Sequence, residues 1–454
     1  MTPTPAPIPG RLWLIAALVG AGAFMAMLDA TLVNLAVASV GTELTAPLAS
    51  VQWIITGYLI AMAMSLPLTG WLGRRCGYGR LWCLALLVFV LASAACALAG
   101  ELATLIAFRV VQGLAAGLMV PAGQAVLGAA AGPAQLGRLM GALGVVVSLG
   151  PALGPAFGGL LLEQMSWRWL FGINVPLGAL ALWLARRHVP AGERDSSRAP
   201  DWPGLVLLGL GLPLLLGGAT ALGEPGRGAW AAAGAGLLLC GLFACVALRR
   251  RHPLIDLSLL AAPRFALATL TTAFTGASLY GALFLLPLYL QEGYGYAASS
   301  IGLWLLVMGL GSAAALYVGG ALTDRLGAAP VIVSGAVLLL LSTLPFLGEA
   351  PLPPWLLAVC LVTRGIGVAL AQMPAMTAAV VTREQVGDAA TLVNIVQRIG
   401  GALGAAALVV VLVDVMTPAR PADYRVAFAV LLVAALVAMV AGLLLWRYRS
   451  TAQA

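Results

Sequence analysis

The stretch from Gly141 to Gly159 carries no charge, yet it holds six glycines and two prolines. In water such a density of Gly and Pro would break a helix. In a bilayer the backbone has to satisfy its own hydrogen bonds, so a spanning segment is a helix, which prolines bend and glycines allow to pack closely. We therefore interpret this stretch as a bent membrane helix. Its predicted hinge and packing motif comprises Gly144, Gly150, Pro151, Gly154, Pro155, Gly158 and Gly159.

The whole chain of 454 residues has a composition that fits such a membrane helix. Hydrophobic residues make up 62% and charged residues only 9%, against about 25% charged in globular proteins, which indicates a polytopic protein embedded in a lipid bilayer. The six cysteines lie in or beside apolar runs, with no spacing typical of a metal site or a disulfide framework. Since no cluster of catalytic residues lies at one depth, we expect no enzyme activity, no cofactor and no metal.

Fourteen apolar runs are long enough to span a bilayer, with about 20 residues taken as one span. All 24 basic residues are arginine, and 17 of them fall in the loops of one face. This is the positive-inside pattern, so we predict cytoplasmic termini and a multi-pass protein of the inner (plasma) membrane. The same distribution argues against nucleic acid as the partner of the net charge of +8. The predicted spans centre near Gly22, Ala61, Val90, Leu114, Gly150, Gly178, Gly211, Leu238, Ser278, Met308, Leu338, Ala369, Ala402 and Ala435.

An internal repeat divides the chain into two halves. Gly70–Gly77 is echoed by Gly320–Gly327, 250 residues later, and Arg109 by Arg364, 255 residues later. Duplicated halves with a binding site between them are a common plan of secondary transporters. We therefore predict an all-α fold of two six-helix bundles with two additional central helices. Its predicted parts are a tail at 1–10, the first bundle at 11–188, a cytoplasmic loop at 189–203, the additional helices at 204–250, a second loop at 251–264, the second bundle at 265–446 and a tail at 447–454.

Four charged residues lie inside the predicted spans, namely Asp29, Arg109, Arg364 and Arg398. Each costs roughly 2.5 to 3.5 kcal/mol on insertion scales, which makes each a candidate functional residue. Asp29 and Arg109 fall at nearly the same depth, in the first and fourth spans, where the two side chains can pair. Because Asp29 is the sole acid in a predicted membrane interior, we expect it to carry a proton or bind a cationic group, with Arg109 biasing its charge. The alternative is an ion pair that only fixes helix registry.

Polar side chains accompany these charges at helical spacing. Gln112 lies one turn after Arg109, and Asn394, Gln397 and Arg398 share one face of the thirteenth predicted span. With Arg364 and Gln372 on the twelfth span, we expect them to line a polar cavity that binds a small-molecule substrate. The alternatives are interhelical hydrogen bonds for the Gln and Asn side chains, and capping of carbonyls at broken helices for Arg364 and Arg398.

Several segments, in order and at fitting spans, resemble the major facilitator superfamily, and within it the fourteen-helix drug/proton antiporter branch. The resemblance covers nearly the whole chain, and its specificity comes from the set of motifs rather than from any one of them. The segments are Leu28–Asn34 in the first span, Arg109–Gly113 in the fourth, Gly150–Pro155 with Gly158–Gly159 in the fifth, Ser166–Pro176 after it and Pro253–Leu257 before the second half.

The resemblance implies alternating access by two bundles that rock about a central cavity, with inward proton flow driving the export of small lipophilic compounds. It implies proton coupling at Asp29 and Arg109, and it adds Thr31 and Asn34 of the first motif to the cavity. It also implies a cytoplasmic gate at the hairpin after the second span and at the second copy of that hairpin. The gate set comprises Gly70, Arg74, Arg75, Gly77, Arg80, Asp324 and Arg325.

The first hairpin departs from the family pattern at Arg74, where the family usually has an acid. An ionic latch that uses this acid cannot form in the same way. The second copy keeps Asp324 beside Arg325. We therefore expect the gate to depend on Asp324 or on another partner for Arg74.

Other functions stay open at the level of sequence. The chain is also compatible with a dedicated exporter of one endogenous metabolite, antibiotic or lipid, and one acid against three interior arginines makes anionic or zwitterionic cargo conceivable. A non-transporting membrane receptor or scaffold is a third interpretation, but it leaves Asp29 unexplained. We expect a monomer driven by the proton gradient, and an accessory efflux partner stays open.

Overall fold

The structure is a computed structural model that describes residues 8–131, 135–147, 161–162, 165–195, 201–220, 227–250, 253–296, 298–348, 351–372, 386–415 and 424–450. Within these ranges the secondary structure consists of helices and connecting loops, without strands. A helix is the form in which a single segment satisfies its backbone hydrogen bonds in lipid. The predicted all-α class is confirmed.

The helices follow one another with short connections across the described ranges. They are α1 (Gly10–Glu43), α2 (Leu48–Val51), α3 (Trp53–Ser65), α4 (Leu68–Cys76), α5 (Tyr78–Leu98), α6 (Leu102–Ala130), α7 (Gln135–Val147), α8 (Arg168–Gly172), α9 (Asn174–His188), α10 (Trp202–Thr220), α11 (Arg227–Arg249), α12 (Pro263–Tyr294), α13 (Ala298–Leu326), α14 (Ala328–Thr343), α15 (Pro354–Gln372), α16 (Val386–Val415) and α17 (Arg425–Ser450), with short 3-10 helices at Leu257–Ala261 and Leu344–Leu347.

Twelve candidate membrane spans occur in the described part of the chain. The number rises to thirteen if α3 and α4 are counted together as one span. These two helices bend by 59° at a break that contains Pro67, a residue without the N–H that a continuous helix needs. The predicted fifth span, centred on Gly150, is described only in its first part, α7. Six residues of its predicted motif, namely Gly150, Pro151, Gly154, Pro155, Gly158 and Gly159, lie outside the described residues.

Each half packs around its own buried core. In the first half, Trp82, Phe89 and Met119 lie in a cluster drawn from α1, α5, α6 and α7. In the second half, Phe346 and Phe428 stack with ring centroids 4.5 Å apart, beside other side chains of α12, α15 and α17. The helices α10 and α11 pack on each other, and α10 contacts α3 of the first half and α16 of the second. The additional pair therefore touches both halves.

The helix ends define two faces of the molecule. We call one the arginine-rich face: it carries the turn between α4 and α5, the start of α7 and the end of α13, with Arg74 and Arg138. On the opposite face, Arg168 pairs with Glu43, whose carboxylate also accepts a hydrogen bond from Trp167 at 2.7 Å. The buried residues considered below lie between these two faces, in the middle of the long helices.

Two glycines bring helices into backbone contact at equivalent places in the two halves. A Cβ on Gly113 of α6 would lie 2.3 Å from the carbonyl oxygen of Tyr58 in α3, and one on Gly365 of α15 would lie 2.0 Å from that of Met308 in α13. Small residues at helix interfaces allow this approach. The two glycines are 252 residues apart and their partners 250, so the internal repeat is a repeat of packing geometry.

We expect Gly365→Ala to destabilise the protein, because the added methyl group meets backbone rather than a movable side chain. Overpacking typically costs about 1 to 3 kcal/mol. Gly241→Ala is the matched control, since no atom lies within 4 Å of its Cβ position in α11. Thermal unfolding of the purified variants in detergent measures the difference, and equal melting temperatures would contradict the packing argument.

Candidate functional site

Asp29 and Arg109 form an ion pair in the interior of the first half. Asp29 lies on α1 and Arg109 on α6, and both are fully buried. Arg109 Nη1 donates to Asp29 Oδ2 at 2.5 Å, and Arg109 Nε donates to the carbonyl oxygen of Ile54 at 2.9 Å. The two interior charges that the sequence places at similar depth are therefore in direct contact.

A network of neutral side chains completes this pair. Gln112 Nε2 and Asn174 Nδ2 donate to Asp29 Oδ1 at 3.1 and 3.2 Å. The same two groups donate to the hydroxyl of Ser93 at 2.6 and 3.1 Å, and Gln112 Oε1 accepts from Arg109 Nη1 at 2.7 Å. All five side chains are at most 1% exposed. Both oxygens of the carboxylate thus have hydrogen-bond donors.

Sequence reasoning did not single out Ser93 or Asn174 as site residues. Ser93 lies alone in the apolar run of α5, and Asn174 opens α9. Ser93 gave only the signal of a small polar residue inside an apolar span, which has too many ordinary explanations to be decisive. Asn174 lies in the segment Ser166–Pro176 that resembles the family, but that resemblance did not point to Asp29 as its partner. The packing of α9 against α1, and of α5 against α6 and α9, is what brings them to Asp29.

Aromatic rings cover the guanidinium of Arg109. Its carbon lies 4.1 Å from the ring centroid of Tyr58 and 5.5 Å from that of Phe171, and cation–π contacts of this kind strengthen when they are desolvated. The Tyr58 hydroxyl donates to the carbonyl oxygen of Ala26 at 3.0 Å, which fixes the ring. The site therefore holds one negative and one positive charge in a dry, rigid surrounding.

The ion pair makes the two buried charges depend on each other. The Asp29 carboxylate compensates the Arg109 guanidinium, and either charge left alone in this interior would be strongly unfavourable. The packing of α1 against α6 is therefore tied to the pair.

Arg364 occupies the corresponding interior of the second half. It is 2% exposed on α15. Its guanidinium donates to the hydroxyl of Thr343 at 2.9 Å and to the hydroxyl of Ser278 at 2.8 Å. In the described part of the chain no carboxylate contacts it.

The line where the halves meet carries two of the predicted cavity residues. Asn394 of α16 donates to the side-chain oxygen of Gln124 in α6 at 2.7 Å. Arg398, one turn further along α16, reaches the sulfur of Met62 in α3 at 3.9 Å. Both are half-buried. These residues face the first half, as the cavity prediction requires.

The rest of the predicted cavity set is dispersed. The hydroxyl of Thr31 donates to a carbonyl of its own helix at 2.9 Å, and Gln397 packs against Gly276 of α12 within the second half. Gln372 ends α15, with its side-chain nitrogen buried. The side chain of Asn34 lies outside the described residues. Gln112 and Arg364, the other members of this set, are buried. The predicted cavity residues therefore lie in separate places, which include the ion-pair network of the first half, the surroundings of Arg364 in the second half and the interface between the halves.

Two ion pairs join the halves at the arginine-rich face. Arg74 at the end of α4 pairs with Asp388 at the start of α16. Asp324 at the end of α13 pairs with Arg138 of α7 at 3.0 Å, and it accepts the backbone N–H of Gly137, also at 3.0 Å. Each pair takes one partner from each half, so together they hold this face closed. Arg74 has a partner that the sequence did not reveal.

Small residues make room for this latch. A Cβ on Gly70 would lie 2.6 Å from the carboxylate of Asp388. The ring of Tyr78 fills the space that a side chain at Gly387 would need, since a Cβ there would lie 1.7 Å from the Tyr78 hydroxyl. The start of α5 therefore inserts between α4 and α16 beside the ion pair.

The turn that positions Arg74 recurs in the second half. Gly77 and Gly327, which end α4 and α13, have φ angles of 88° and 84°, in a region that glycine adopts without strain. Arg325 precedes the second of these turns and is exposed. The two gate hairpins thus share a backbone geometry.

The remaining gate residues support the first hairpin without crossing between the halves. The guanidinium of Arg75 lies 5.6 Å from the ring centroid of Trp71. The backbone N–H of Arg80 donates to the carbonyl oxygen of Ala191 at 3.2 Å. The segment after α9 is in this way tied to the hairpin.

The glycines of α7 bring it against α13 of the other half. A Cβ on Gly141 would lie 2.5 Å from the carbonyl oxygen of Leu316, and one on Gly144 would lie 3.0 Å from the side chain of the same residue. A Cβ on Gly137 would lie 2.8 Å from the carbonyl oxygen of Gly320. Close packing of the predicted glycine-rich helix is thus observed at its first part, whereas its role as a hinge stays a prediction.

We expect Asp29→Asn or Arg109→Gln alone to destabilise the protein more than the double variant does. Removal of one partner of a buried pair typically costs about 3 to 5 kcal/mol, because the other charge stays buried alone. Glu43→Gln is the control, since its pair with Arg168 is 46% and 32% exposed and such pairs contribute at most about 1 kcal/mol. Thermal unfolding in detergent measures all four, and additive effects at Asp29 and Arg109 would contradict the coupling.

Comparison with known proteins identifies the family. The sequence matches the model of the Major Facilitator Superfamily over residues 19–405 and, in a second match, 268–454. It is 36% identical over 401 residues to the multidrug resistance protein B homolog of Mycobacterium tuberculosis, with 86% of this chain and 74% of the relative covered. It is 32% identical over 417 residues to the putative multidrug resistance protein MdtD of Cronobacter sakazakii, with 89% and 86% covered.

The fold also resembles that of a solved transporter structure. The proton:xylose symporter XylE, in its structure with 6-bromo-6-deoxy-D-glucose, superimposes with a TM-score of 0.66 at 14% identity, covering 94% of this chain and 95% of that chain. At this identity the likeness concerns the fold alone. The family match and the relatives agree with the duplicated helical halves and the buried ion pair: the chain belongs to the Major Facilitator Superfamily and is a membrane transporter.

Proposed function

We propose that this transporter exports small lipophilic or amphipathic compounds, drugs among them, in exchange for protons that move inward. One observation carries the proposal: Asp29, the only acid in a predicted membrane interior, is fully buried against Arg109. Proton relays in membranes use such intramembrane carboxylates. The names of the relatives, both multidrug resistance proteins, support the cargo class. The proton gradient is the energy source, and no cofactor takes part.

Proton and cargo are coupled through the packing around Arg109. With Asp29 ionised, five hydrogen bonds and ion-pair contacts hold α1, α5, α6 and α9 together. A proton that enters from the side opposite the arginine-rich face neutralises Asp29 and weakens this set. The free-energy difference between the two packings is then available to shift the equilibrium between the two accessible states.

Alternating access requires the arginine-rich face to open and close. The pairs Arg74–Asp388 and Arg138–Asp324 are the contacts that have to break when this face opens. Both are only partly desolvated, with side chains 3% to 20% exposed, so water can replace them at moderate cost. The cargo then reaches the interface between the halves, where Asn394 and Arg398 lie.

The membrane topology belongs to the same proposal. Fourteen spans, with both termini in the cytoplasm, follow if α3 and α4 form one span and α7 continues beyond Val147. The arginine-rich face is then cytoplasmic, in agreement with the positive-inside rule. We place the transporter in the inner membrane as a monomer. Export of a single endogenous metabolite, antibiotic or lipid uses the same machinery and is separated from multidrug export by the range of compounds transported.

We expect the double variant Asp29→Asn/Arg109→Gln to reach the membrane folded but to lose transport driven by a pH gradient. It keeps the local charge balance while removing the only group there that binds a proton. Coupling free energies of about 1 to 3 kcal/mol correspond to a roughly 5- to 150-fold loss. The measurement is efflux of a panel of lipophilic dyes from proteoliposomes, with and without the gradient. Full activity with unchanged pH dependence would refute the proposal, and Asp29→Glu is the control that retains a carboxyl group.

We expect charge reversal to test the latch. Arg74→Asp and Asp388→Arg each place like charges together and slow transport, whereas the double reversal restores a pair and recovers part of the rate. Recovery is partial because the reversed charges oppose the dipoles of α4 and α16, an effect of about 0.3 to 1 kcal/mol per end.

The matched control for this experiment is Arg75→Asp, which makes the same charge change one residue away. Arg75 contacts Trp71 of its own helix rather than the other half, so its effect on transport is expected to be smaller than that of Arg74→Asp. Transport rates are compared in proteoliposomes at equal protein content. A double reversal that transports no faster than the slower single variant would exclude the latch.

A further inference from the structure

The second half contains a copy of the ion-pair site in which the acid is missing. Arg364 corresponds to Arg109 at an offset of 255 residues, and it lies on α15 as Arg109 lies on α6. Thr343 of α14 corresponds to Ser93 of α5 at an offset of 250. Ser278 of α12 stands where Asp29 stands on α1, at an offset of 249.

The contacts of Arg364 are all with neutral groups. Nη2 donates to both the hydroxyl and the carbonyl oxygen of Ser278, at 2.8 and 2.9 Å, and Nη1 donates to the hydroxyl of Thr343 at 2.9 Å. Nε is buried and has no hydrogen-bond partner among the described residues. Arg109, by comparison, directs Nε to a backbone carbonyl and Nη1 to a carboxylate.

A buried guanidinium with only neutral partners is electrostatically incomplete. Hydroxyl and carbonyl groups satisfy its hydrogen bonds, but they do not cancel its charge, and an uncompensated buried charge is strongly unfavourable. In the described interior, Asp29 is already paired with Arg109, and Arg398 adds a further positive charge rather than a negative one. No acid of the described residues supplies the missing counter-charge, so a ligand that carries one would complete the site.

A stripe of hydroxyl groups leads along α12 to this arginine. Thr271, Thr275 and Ser278 are spaced four and three residues apart, so they share one helix face, and all three are fully buried. The stripe covers about 10 Å of helix and begins nearer to the arginine-rich face. It forms a polar track in a helix that is otherwise mostly apolar.

We propose that Arg364, with the hydroxyls of Ser278 and Thr343, binds the carboxylate of an amphipathic monoanionic cargo. This inference rests on the proposed export function and names a cargo class for it. A guanidinium matches a carboxylate with two parallel hydrogen bonds, and Nε with one Nη offers that geometry. The site is sealed in this conformation and receives its ligand when the halves rearrange. The cargo thus supplies in the second half the charge that Asp29 supplies in the first.

Three probes of one ring system test the charge preference: 1-naphthaleneacetate, 1-naphthaleneacetamide and 1-naphthylmethylamine. Each is titrated calorimetrically into the full-length protein in nanodiscs, with empty nanodiscs subtracted. We expect the wild type to bind 1-naphthaleneacetate at least about tenfold more tightly than 1-naphthaleneacetamide, as a charge-assisted hydrogen bond implies. We expect 1-naphthylmethylamine to bind most weakly. Equal affinities for acetate and amide would overturn the proposal.

The variants Ser278→Asp and Ser278→Asn separate charge from size. Ser278→Asp gives Arg364 an internal counter-charge, copying the first half, and we expect the preference for the acetate to fall to within about twofold. Ser278→Asn has nearly the same volume without the charge and is expected to keep most of the preference. If both variants change the preference equally, Arg364 is only a packing residue. Monodisperse gel-filtration profiles establish that each variant is folded.

Two further comparisons distinguish the carboxylate site from a site for inorganic anions and from the proposed export function. The titrations are repeated in methanesulfonate and in chloride buffer, neither of which supplies a carboxylate. Affinities that agree support the carboxylate, whereas binding of 1-naphthaleneacetate that chloride abolishes would assign the site to an inorganic anion and overturn the cargo. Dye efflux driven by a pH gradient is measured on the same wild-type preparation. Efflux without acetate preference contradicts the anion site alone, and acetate preference without efflux contradicts the export function alone.

Discussion

A buried charge requires a counter-charge, and the pairing of Asp29 with Arg109 is where the first half meets this requirement. The pair fixes more than two residues. Gln112, Ser93 and Asn174 are oriented by it, and through them α5 and α9 take their positions beside α1 and α6. Loss of either charge would leave the other buried without a partner and would disturb the contacts among these helices.

The two halves share their packing and differ in their charge. Gly113 and Gly365 meet equivalent carbonyl groups, so the duplicated bundles bring their helices together in the same way. At the centre, however, Asp29 of the first half is replaced by Ser278 in the second. Arg109 is paired with a carboxylate, whereas no carboxylate of the described residues contacts Arg364. The two halves therefore have similar packing but different charges at their centres. The arginine of the first half lies beside a carboxylate, and that of the second half lies beside hydroxyl groups.

Much of the site follows from sequence, because depth in a membrane can be counted along a helix. The pairing of Asp29 with Arg109 needed only two spans of opposite direction and the rule that interior charges seek partners. Ser93 and Asn174 did not follow, since single polar residues in apolar spans carry no pattern that names their partner. The fourteen-span count also exceeds what is described, because α7 is followed only to Val147. Contacts between distant helices are set by packing angles, which periodicity does not contain.

The partner of Arg74 shows how far such reasoning extends. The sequence revealed that an acid was absent from the first hairpin, but not that Asp388, 314 residues away, takes over. Helix dipoles explain why this polarity is stable: Arg74 lies in the last turn of α4, where a cation is favoured, and Asp388 in the first turn of α16, where an anion is favoured. An acid at position 74 would oppose the dipole of its own helix. The latch is thus reversed relative to the usual pattern without losing either its ionic contact or its agreement with the backbone.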